Sequence, residues 1–155
     1  MSNACDHKSV GMILYKDEKI LLIERAKYPF GFAIPAGHVD DDKTYEESAQ
    51  RELKEEVGLG TKELKLIIEG RKENKCRRDG GSWHFWKIYQ IISIGEIDRS
   101  KDETKQVGWY TKDQIRVLGN KAEKYNNKEI SEEEWNKNPG LEPVIYEWFK
   151  ELKII

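Results

Sequence analysis

The chain has 155 residues, the size of one domain with a single hydrophobic core. Its 27 basic and 29 acidic residues give a net charge of −2, so overall charge does not favour nucleic acid or an anionic membrane as a partner. Hydrophobic residues make up 37% of the sequence, too many for a disordered chain. We therefore expect one soluble domain over residues 1–155, located in the cytoplasm, with no membrane or DNA partner.

The first residues and the cysteines exclude several other classes of protein. The N-terminus contains Asp6, His7 and Lys8 and no apolar core, so it predicts neither a secretory signal nor a membrane anchor. Cys5 and Cys76 are distant in sequence and show no Cys-x-x-Cys spacing, so the pattern supports neither a zinc knuckle nor a disulfide framework. We interpret both as idle thiols in a reducing compartment.

The first third of the chain predicts a β-hairpin and then a loop. Two apolar segments, 9–15 and 20–25, flank the polar run 16–19 and have the pattern of paired strands. After the short apolar stretch 32–34, the Pro-Ala-Gly sequence at 35–37 predicts a loop that leads into three consecutive aspartates.

A helix is predicted over residues 45–57, with a signal at each end. Thr44 and Glu47 have the spacing of a capping box, and Gly58 is placed to end the helix. Apolar residues recur every four positions along it, which predicts one face packed on a core.

The rest of the chain predicts three strands and two helices. The strand segments are 64–69, 83–92 and 106–110. The second of them has apolar and aromatic residues on both faces, as a central strand does. Residues 113–118 predict a short helix and 142–152 a longer amphipathic one. Residues 121–138 are polar and predict a surface excursion, with Ser131 as a cap for a short helical turn.

Acidic residues are concentrated between Gly37 and Leu59, where eight acids occur with three bases. On the predicted helix, Glu52, Glu55 and Glu56 lie at i, i+3 and i+4, so they share one face and repel one another. A bound cation would remove that repulsion, and carboxylate oxygens suit Mg²⁺ or Mn²⁺ better than Zn²⁺. A charged helix face is usually a solvated face, so spacing alone leaves both interpretations open.

The same region resembles a known motif, the Nudix box, written G-x5-E-x7-R-E-U-x-E-E-x-G-U. Gly37 and the segment 51–59 (Arg-Glu-Leu-Lys-Glu-Glu-Val-Gly-Leu) keep every gap of that motif, and eight of its nine defined positions match. The position that does not match is the first glutamate of the motif, which falls on Lys43. In the family this glutamate supports the metal site or its loop. Asp42 and Glu46 are the neighbouring acids that would substitute for it.

The resemblance implies an α/β fold, the Nudix-type α/β/α sandwich with a mixed central sheet, in a monomer or homodimer. It implies hydrolysis of a diphosphate linkage in a nucleoside di- or triphosphate or a related nucleoside-diphosphate-X substrate. The implied cofactor is Mg²⁺, with Mn²⁺ as a substitute, because such ions neutralise charge on bridging phosphate oxygens. The implied metal ligands are Glu52, Glu55, Glu56 and the carbonyl of Ala36.

Further segments resemble the MutT branch of the family. The segment that contains Arg25 is similar to a strand whose arginine contacts nucleotide phosphate, so Arg25 is the implied substrate-binding residue. Glu103, six positions before Trp109, matches a loop glutamate that binds metal or takes a proton, so Glu103 and Glu55 rank first as catalytic residues. Leu141 replaces the asparagine that reads 8-oxo-guanine, and Asn74 replaces a proline of ADP-ribose pyrophosphatases. The sequence therefore does not name the substrate.

Two other functions remain open. Lys43 is compatible with a non-catalytic Nudix-fold sensor that binds a nucleotide without cleaving it. The segment 71–78 has five basic residues and one acid, and would form an RNA track in a decapping-type enzyme, although a solvated loop is the simpler interpretation. His38 and His84 would touch phosphate or serve a structural role.

Overall fold

The computed structural model describes residues 4–155. Its contacts group the chain into two compact units. Unit 1 comprises the chain up to Leu14 together with Pro35–Lys101, and unit 2 comprises Tyr15–Ile34 and Asp102–Ile155. No helix within residues 4–155 combines the length and apolar character needed to cross a membrane.

Eight strands and four helices follow one another along the described chain. They are β1 (Lys8–Ile13), β2 (Tyr15–Lys16), β3 (Lys19–Arg25), β4 (Phe32–Ala33), β5 (Ala36–His38), α1 (Tyr45–Val57), β6 (Gly60–Lys72), β7 (His84–Ile94), β8 (Thr104–Tyr110), α2 (Lys112–Asn126), α3 (Glu132–Lys137) and α4 (Pro143–Glu151). The predicted α/β class with a mixed sheet is confirmed.

Unit 1 is built on a mixed sheet of order β5-β1-β7-β6. β1 runs parallel to β7 and antiparallel to β5, and β6 runs antiparallel to β7. The predicted strand 83–92 corresponds to β7. The prediction that this strand is central is confirmed, because β7 has a neighbouring strand on each side. The segment predicted as a loop at 35–37 instead enters β5, where Gly37 pairs with Val10.

The predicted opening hairpin is only partly correct. β2 and β3 do form an antiparallel hairpin, but β1 pairs with β5 and β7 instead of with β3. Because β1 lies between β5 and β7 in its sheet, five of its six residues are buried. A strand of that kind is apolar on both faces, and this pattern does not distinguish local from distant partners.

Helix α1 forms as predicted because both of its ends carry local stop signals. The Thr44 side chain accepts a hydrogen bond from the Glu47 backbone N–H at 3.1 Å. Gly58 adopts the left-handed conformation, φ 78°, and its N–H donates to the carbonyl of Lys54 at 3.0 Å. The buried face of α1 packs against β1, β5 and β6, and consists of Ser48, Ala49, Leu53, Glu56 and Val57.

Unit 2 has an antiparallel sheet in which β3 pairs with β2, β4 and β8. Its last helix, α4, lies within the predicted segment 142–152, but α2 is longer than the sequence predicts. The predicted helix 113–118 extends as far as Asn126, because Ala122 is buried and Gly119 packs closely against Tyr146 of α4. The predicted surface excursion therefore contains the last six residues of α2 and all of α3, whose cap at Ser131 is present.

Candidate metal and catalytic residues

Two carboxylates of α1 contact the backbone of β5 directly. Glu56 is buried, with 5% of its surface exposed, and its Oε1 accepts a hydrogen bond from the Ala36 N–H at 2.7 Å. The carboxyl group of Glu52 lies over Gly37, where a Cβ would overlap it, so this approach requires glycine. The structure therefore brings together three of the predicted residues, Ala36, Glu52 and Glu56.

Arg51 is the cation of this acidic ridge. Its Nη1 donates to Glu52 at 2.9 Å and to Glu55 at 3.1 Å, and its Nη2 donates to the His38 carbonyl at 3.0 Å. Its Nε donates to Asp42 at 2.7 Å. Burial works against the guanidinium charge, but the bond to Asp42 and the nearby carboxylates raise the pKa of Arg51 above its usual value. Arg51 thus offsets part of the negative charge of the ridge.

The donor chemistry of the ridge fits a hard divalent cation. Glu52, Glu55 and Glu56, with the backbone oxygen of Ala36, offer only oxygen ligands, which Mg²⁺ prefers. In the structure Glu52 and Glu55 are bonded to Arg51, so these two carboxylates must change partner to hold a metal. Within residues 4–155, the group of Cys, His, Asp and Glu side chains whose ligand atoms already converge lies elsewhere in unit 1.

Lys43, the departure from the box motif, lies exposed just before α1. Its backbone N–H donates to Glu47 at 3.1 Å, so Glu47 steadies the loop at this point. The neighbouring acids are engaged elsewhere. Glu46 accepts a hydrogen bond from the Tyr89 hydroxyl at 2.9 Å, and Asp42 accepts from Arg51 and from the Ser48 hydroxyl.

Arg25 and Glu103 lie in unit 2. The Nε of Arg25 donates to the Pro29 carbonyl at 2.6 Å, which fixes the orientation of the guanidinium. Glu103 forms an ion pair with Lys27 at 2.9 Å, with about 40% of each side chain exposed. Burial raises the pKa of Glu142, and the charge of Arg25 opposes that rise.

The basic segment 71–78 is partly engaged in ion pairs. Arg71 pairs with Glu73 at 2.8 Å and lies over the Trp83 ring at 4.1 Å. Arg78 donates two hydrogen bonds to the carboxylate of Asp40. Arg71 and Arg78 are therefore engaged within the protein. Arg71 and Lys72 belong to β6, so the predicted surface loop is confined to residues 73–78.

The structure also gathers a group of residues that the sequence does not predict. Cys5, His38, Cys76 and His84 converge in unit 1. The idle thiols expected from the sequence are thus close to each other and to two imidazoles. No spacing in the sequence indicates that these four residues converge. The one sequence signal is weak: the group contains both cysteines and two of the three histidines of the chain.

The class of the protein follows from the domain that these elements form. The family model described as the NUDIX domain matches residues 6–133. The chain therefore belongs to the Nudix family, and the predicted enzyme class, a hydrolase of phosphorus-containing anhydrides, is confirmed.

Individual relatives place the chain within that family. It is 35% identical over 120 residues to the ADP-ribose pyrophosphatase of Methanocaldococcus jannaschii, covering 75% of this chain and 68% of the relative. It is 31% identical over 114 residues to an 8-oxo-dGDP phosphatase of Mus musculus, covering 70% of this chain but only 32% of the relative. The fold also matches a crystal structure of a MutT NUDIX hydrolase from Burkholderia pseudomallei, with a TM-score of 0.61 and 24% identity, over 69% of this chain and 84% of that one.

Proposed function

We propose that this protein is a Mg²⁺-dependent hydrolase, with Mn²⁺ as a substitute, that cleaves a diphosphate linkage in a nucleoside di- or triphosphate or in a related nucleoside-diphosphate-X substrate. The observation that carries the proposal is the contact between α1 and β5. Glu56 is held by the Ala36 N–H at 2.7 Å, and Glu52 rests on Gly37. Two carboxylates of the box are thereby fixed against residues 36 and 37, and residue 36 carries the backbone oxygen assigned to the same metal.

We assign metal binding to Glu52, Glu55, Glu56 and the carbonyl of Ala36. When bound, Mg²⁺ polarises phosphate oxygens and lowers the pKa of a coordinated water. Glu56 is buried and already aligned, so it is the ligand that needs the least rearrangement. To hold the metal, Glu52 and Glu55 would give up their ion pairs with Arg51.

The remaining roles concern the proton and the phosphate groups. Glu55 is exposed and Glu103 is half-exposed, so water reaches both, and either carboxylate can accept the proton of the attacking water. Arg25 has its Nε fixed against Pro29, which leaves its planar guanidinium oriented for phosphate oxygens. We assign Arg25 to substrate binding on this ground.

ADP-ribose is the first substrate to test, because the relative with 35% identity carries that name. The test measures AMP, phosphate and pyrophosphate release from ADP-ribose, 8-oxo-dGDP, nucleoside triphosphates and dinucleoside polyphosphates. Each reaction is run with Mg²⁺, with Mn²⁺ and with no added metal. We expect metal-dependent cleavage of one substrate class.

Glu56→Gln is the matched inactive control, because it removes one ligand charge at an unchanged side-chain size. Cleavage by the wild type and not by Glu56→Gln supports the proposal. Nucleotide binding without cleavage by the wild type in any metal would contradict it and favour the non-catalytic sensor. Equal cleavage by both proteins would contradict the assigned metal residues.

A further inference from the structure

Four side chains that are distant in sequence surround one point in unit 1. One ligand atom from each of Cys5, His38, Cys76 and His84 lies within 4.8 Å of the other three. The Sγ of Cys5 is 3.2 Å from Nε2 of His84 and 3.6 Å from Nε2 of His38. The group therefore presents two sulfur and two nitrogen donors toward a common centre.

The register of the mixed sheet brings these residues to one place. On β1, Ser9 lies opposite His38 of β5 on one side and opposite Trp86 of β7 on the other. His84 is two residues before Trp86, so it faces the same direction on β7 as alternate residues do. The segment before β1 and the loop before β7 then supply the cysteines.

Both sulfur atoms have the same local backbone environment. Cys5 Sγ accepts the N–H of His7 at 3.3 Å, and Cys76 Sγ accepts the N–H of Arg78 at 3.4 Å, so each bond comes from two residues further along the chain. The loop before β7 folds back so closely that Gly81 lies against Cys76, and a Cβ at Gly81 would overlap the Cys76 Sγ. The N–H groups of His7 and Arg78 fix the orientation of the two sulfur atoms. Burial raises the pKa of the Cys5 thiol to about 11, so a metal that binds there must displace the thiol proton.

The two imidazoles lie next to each other beside Cys5. The ring centroids of His38 and His84 are 5.3 Å apart in an edge-to-face arrangement, and Nε2 of each ring is within 3.6 Å of Cys5 Sγ. An imidazole binds a metal ion through one ring nitrogen, so these two Nε2 atoms are placed as nitrogen donors.

We propose that Cys5, His38, Cys76 and His84 form a Cys2His2 site for a structural Zn²⁺ ion, separate from the Mg²⁺ residues of α1. Tetrahedral zinc with bonds of about 2.3 Å to sulfur and about 2.0–2.1 Å to nitrogen sets its donor atoms about 3.3–3.8 Å apart. The two separations of 3.2 and 3.6 Å are close to that range. Four protein ligands leave no open coordination position, so the ion is structural and not catalytic.

The consequence of zinc binding is a cross-link between four parts of unit 1. It joins the segment before β1, the end of β5, the loop between β6 and β7, and the start of β7. His38 follows Gly37, on which Glu52 rests, and its carbonyl accepts a hydrogen bond from Arg51. Zinc at His38 thus holds the end of the strand that positions Glu52.

The first experiment measures zinc in the full-length chain, purified under reducing conditions, by elemental analysis and native mass spectrometry. We expect one zinc per chain. Replacement of zinc by Co²⁺ should give the intense visible absorption of tetrahedral cobalt together with a thiolate-to-metal charge-transfer band. A chain that neither retains zinc nor binds it after reduction, or that forms a Cys5–Cys76 disulfide instead, would overturn the proposal.

Substitutions test the assignment of ligands. Cys76→Ser should weaken zinc binding by at least about 100-fold, since even changes outside the ligand shell cost 10- to 100-fold. His7→Gln is the matched control, because His7 bonds to the Trp83 carbonyl and is outside the group. Glu56→Gln should keep its zinc while losing turnover, which separates this proposal from the proposed function. Full zinc binding by Cys76→Ser, or loss of zinc in Glu56→Gln, would refute it.

A wild-type measurement covers the case in which Cys76→Ser fails to fold. A zinc chelator should lower the melting temperature of the wild-type chain and make both thiols reactive. Added Zn²⁺ should reverse both changes, and added Mg²⁺ should reverse neither. Thiols that react equally fast with and without the chelator would contradict a zinc-bound group.

Discussion

Substitution of Glu56 separates its proposed metal role from its structural role. Glu56 is buried and its Oε1 accepts the Ala36 N–H, so removal of the whole side chain and removal of its charge alone have different consequences. Glu56→Gln keeps an oxygen at this position and loses the charge. Glu56→Ala loses both, and leaves the Ala36 N–H without that acceptor.

The expected magnitudes differ accordingly. A hydrogen bond to a charged group contributes about 1.5–3 kcal/mol and a neutral one about 0.5–1.5 kcal/mol, so Glu56→Gln should lower the free energy of unfolding by about 1 kcal/mol. Glu56→Ala should lower it by about 1–3 kcal/mol for the unpaired N–H, and by more for lost packing. In a chain of this size each kcal/mol corresponds to about 2–4 °C in melting temperature. Loss of a charged metal ligand should cost several kcal/mol of transition-state stabilisation, and at least about 100-fold in kcat.

The assay combines thermal unfolding with turnover of the substrate found in the panel, at saturating Mg²⁺. Glu63→Gln, an exposed position on β6, is the control and should resemble the wild type in both. Two results would refute the reasoning. One is a Glu56→Gln protein that keeps more than about a tenth of wild-type turnover, and the other is an equal loss of stability in Glu56→Gln and Glu56→Ala.

Three other substitutions test separate features of the structure. Lys43→Glu restores the acid of the box motif at an exposed position. The Mg²⁺ concentration that gives half-maximal activity should fall by up to about fivefold, since exposed charge interactions contribute up to about 1 kcal/mol. An unchanged Mg²⁺ dependence would show that this position does not affect the metal. Burial raises the pKa of Glu142 against the opposing charge of Arg25, so its ionisation destabilises the fold progressively above the usual value of 4.5. The melting temperature of Glu142→Gln minus that of the wild type should therefore be larger at pH 8 than at pH 4. A difference that does not change with pH would contradict this. Gly58→Ala should lower the free energy of unfolding by about 1–2 kcal/mol or more, because φ is 78° and a Cβ would lie 2.8 Å from the Asp98 carbonyl oxygen. A urea titration measures this change, and an unfolding midpoint equal to that of the wild type would refute the prediction.

The parts of the fold that the sequence predicts are those with local causes. α1 is predicted at both ends because Thr44 bonds to a backbone N–H three residues away and Gly58 adopts a conformation that other residues avoid. The box carboxylates share one face for the same reason, since helical periodicity fixes their relative positions. The burial of Glu56 is not predictable in this way, because it depends on β5.

The parts that the sequence does not predict depend on distant partners. The segment 9–15 is apolar enough for a hairpin, but most of it becomes β1, whose partners β5 and β7 are far along the chain. Helix α2 continues past a polar stretch because Ala122 is buried against the rest of unit 2. Cys5 and Cys76 meet only through strand pairing, so their spacing carries no signal.

Arg51 gives the acidic ridge of α1 a resident counter-ion. Its guanidinium reaches Asp42, Glu52 and Glu55, so mutual repulsion among these carboxylates is relieved before any divalent ion arrives. If Glu52 and Glu55 hold Mg²⁺ as proposed, binding exchanges one cation for another, and the affinity measured for Mg²⁺ is then the difference between two ionic arrangements.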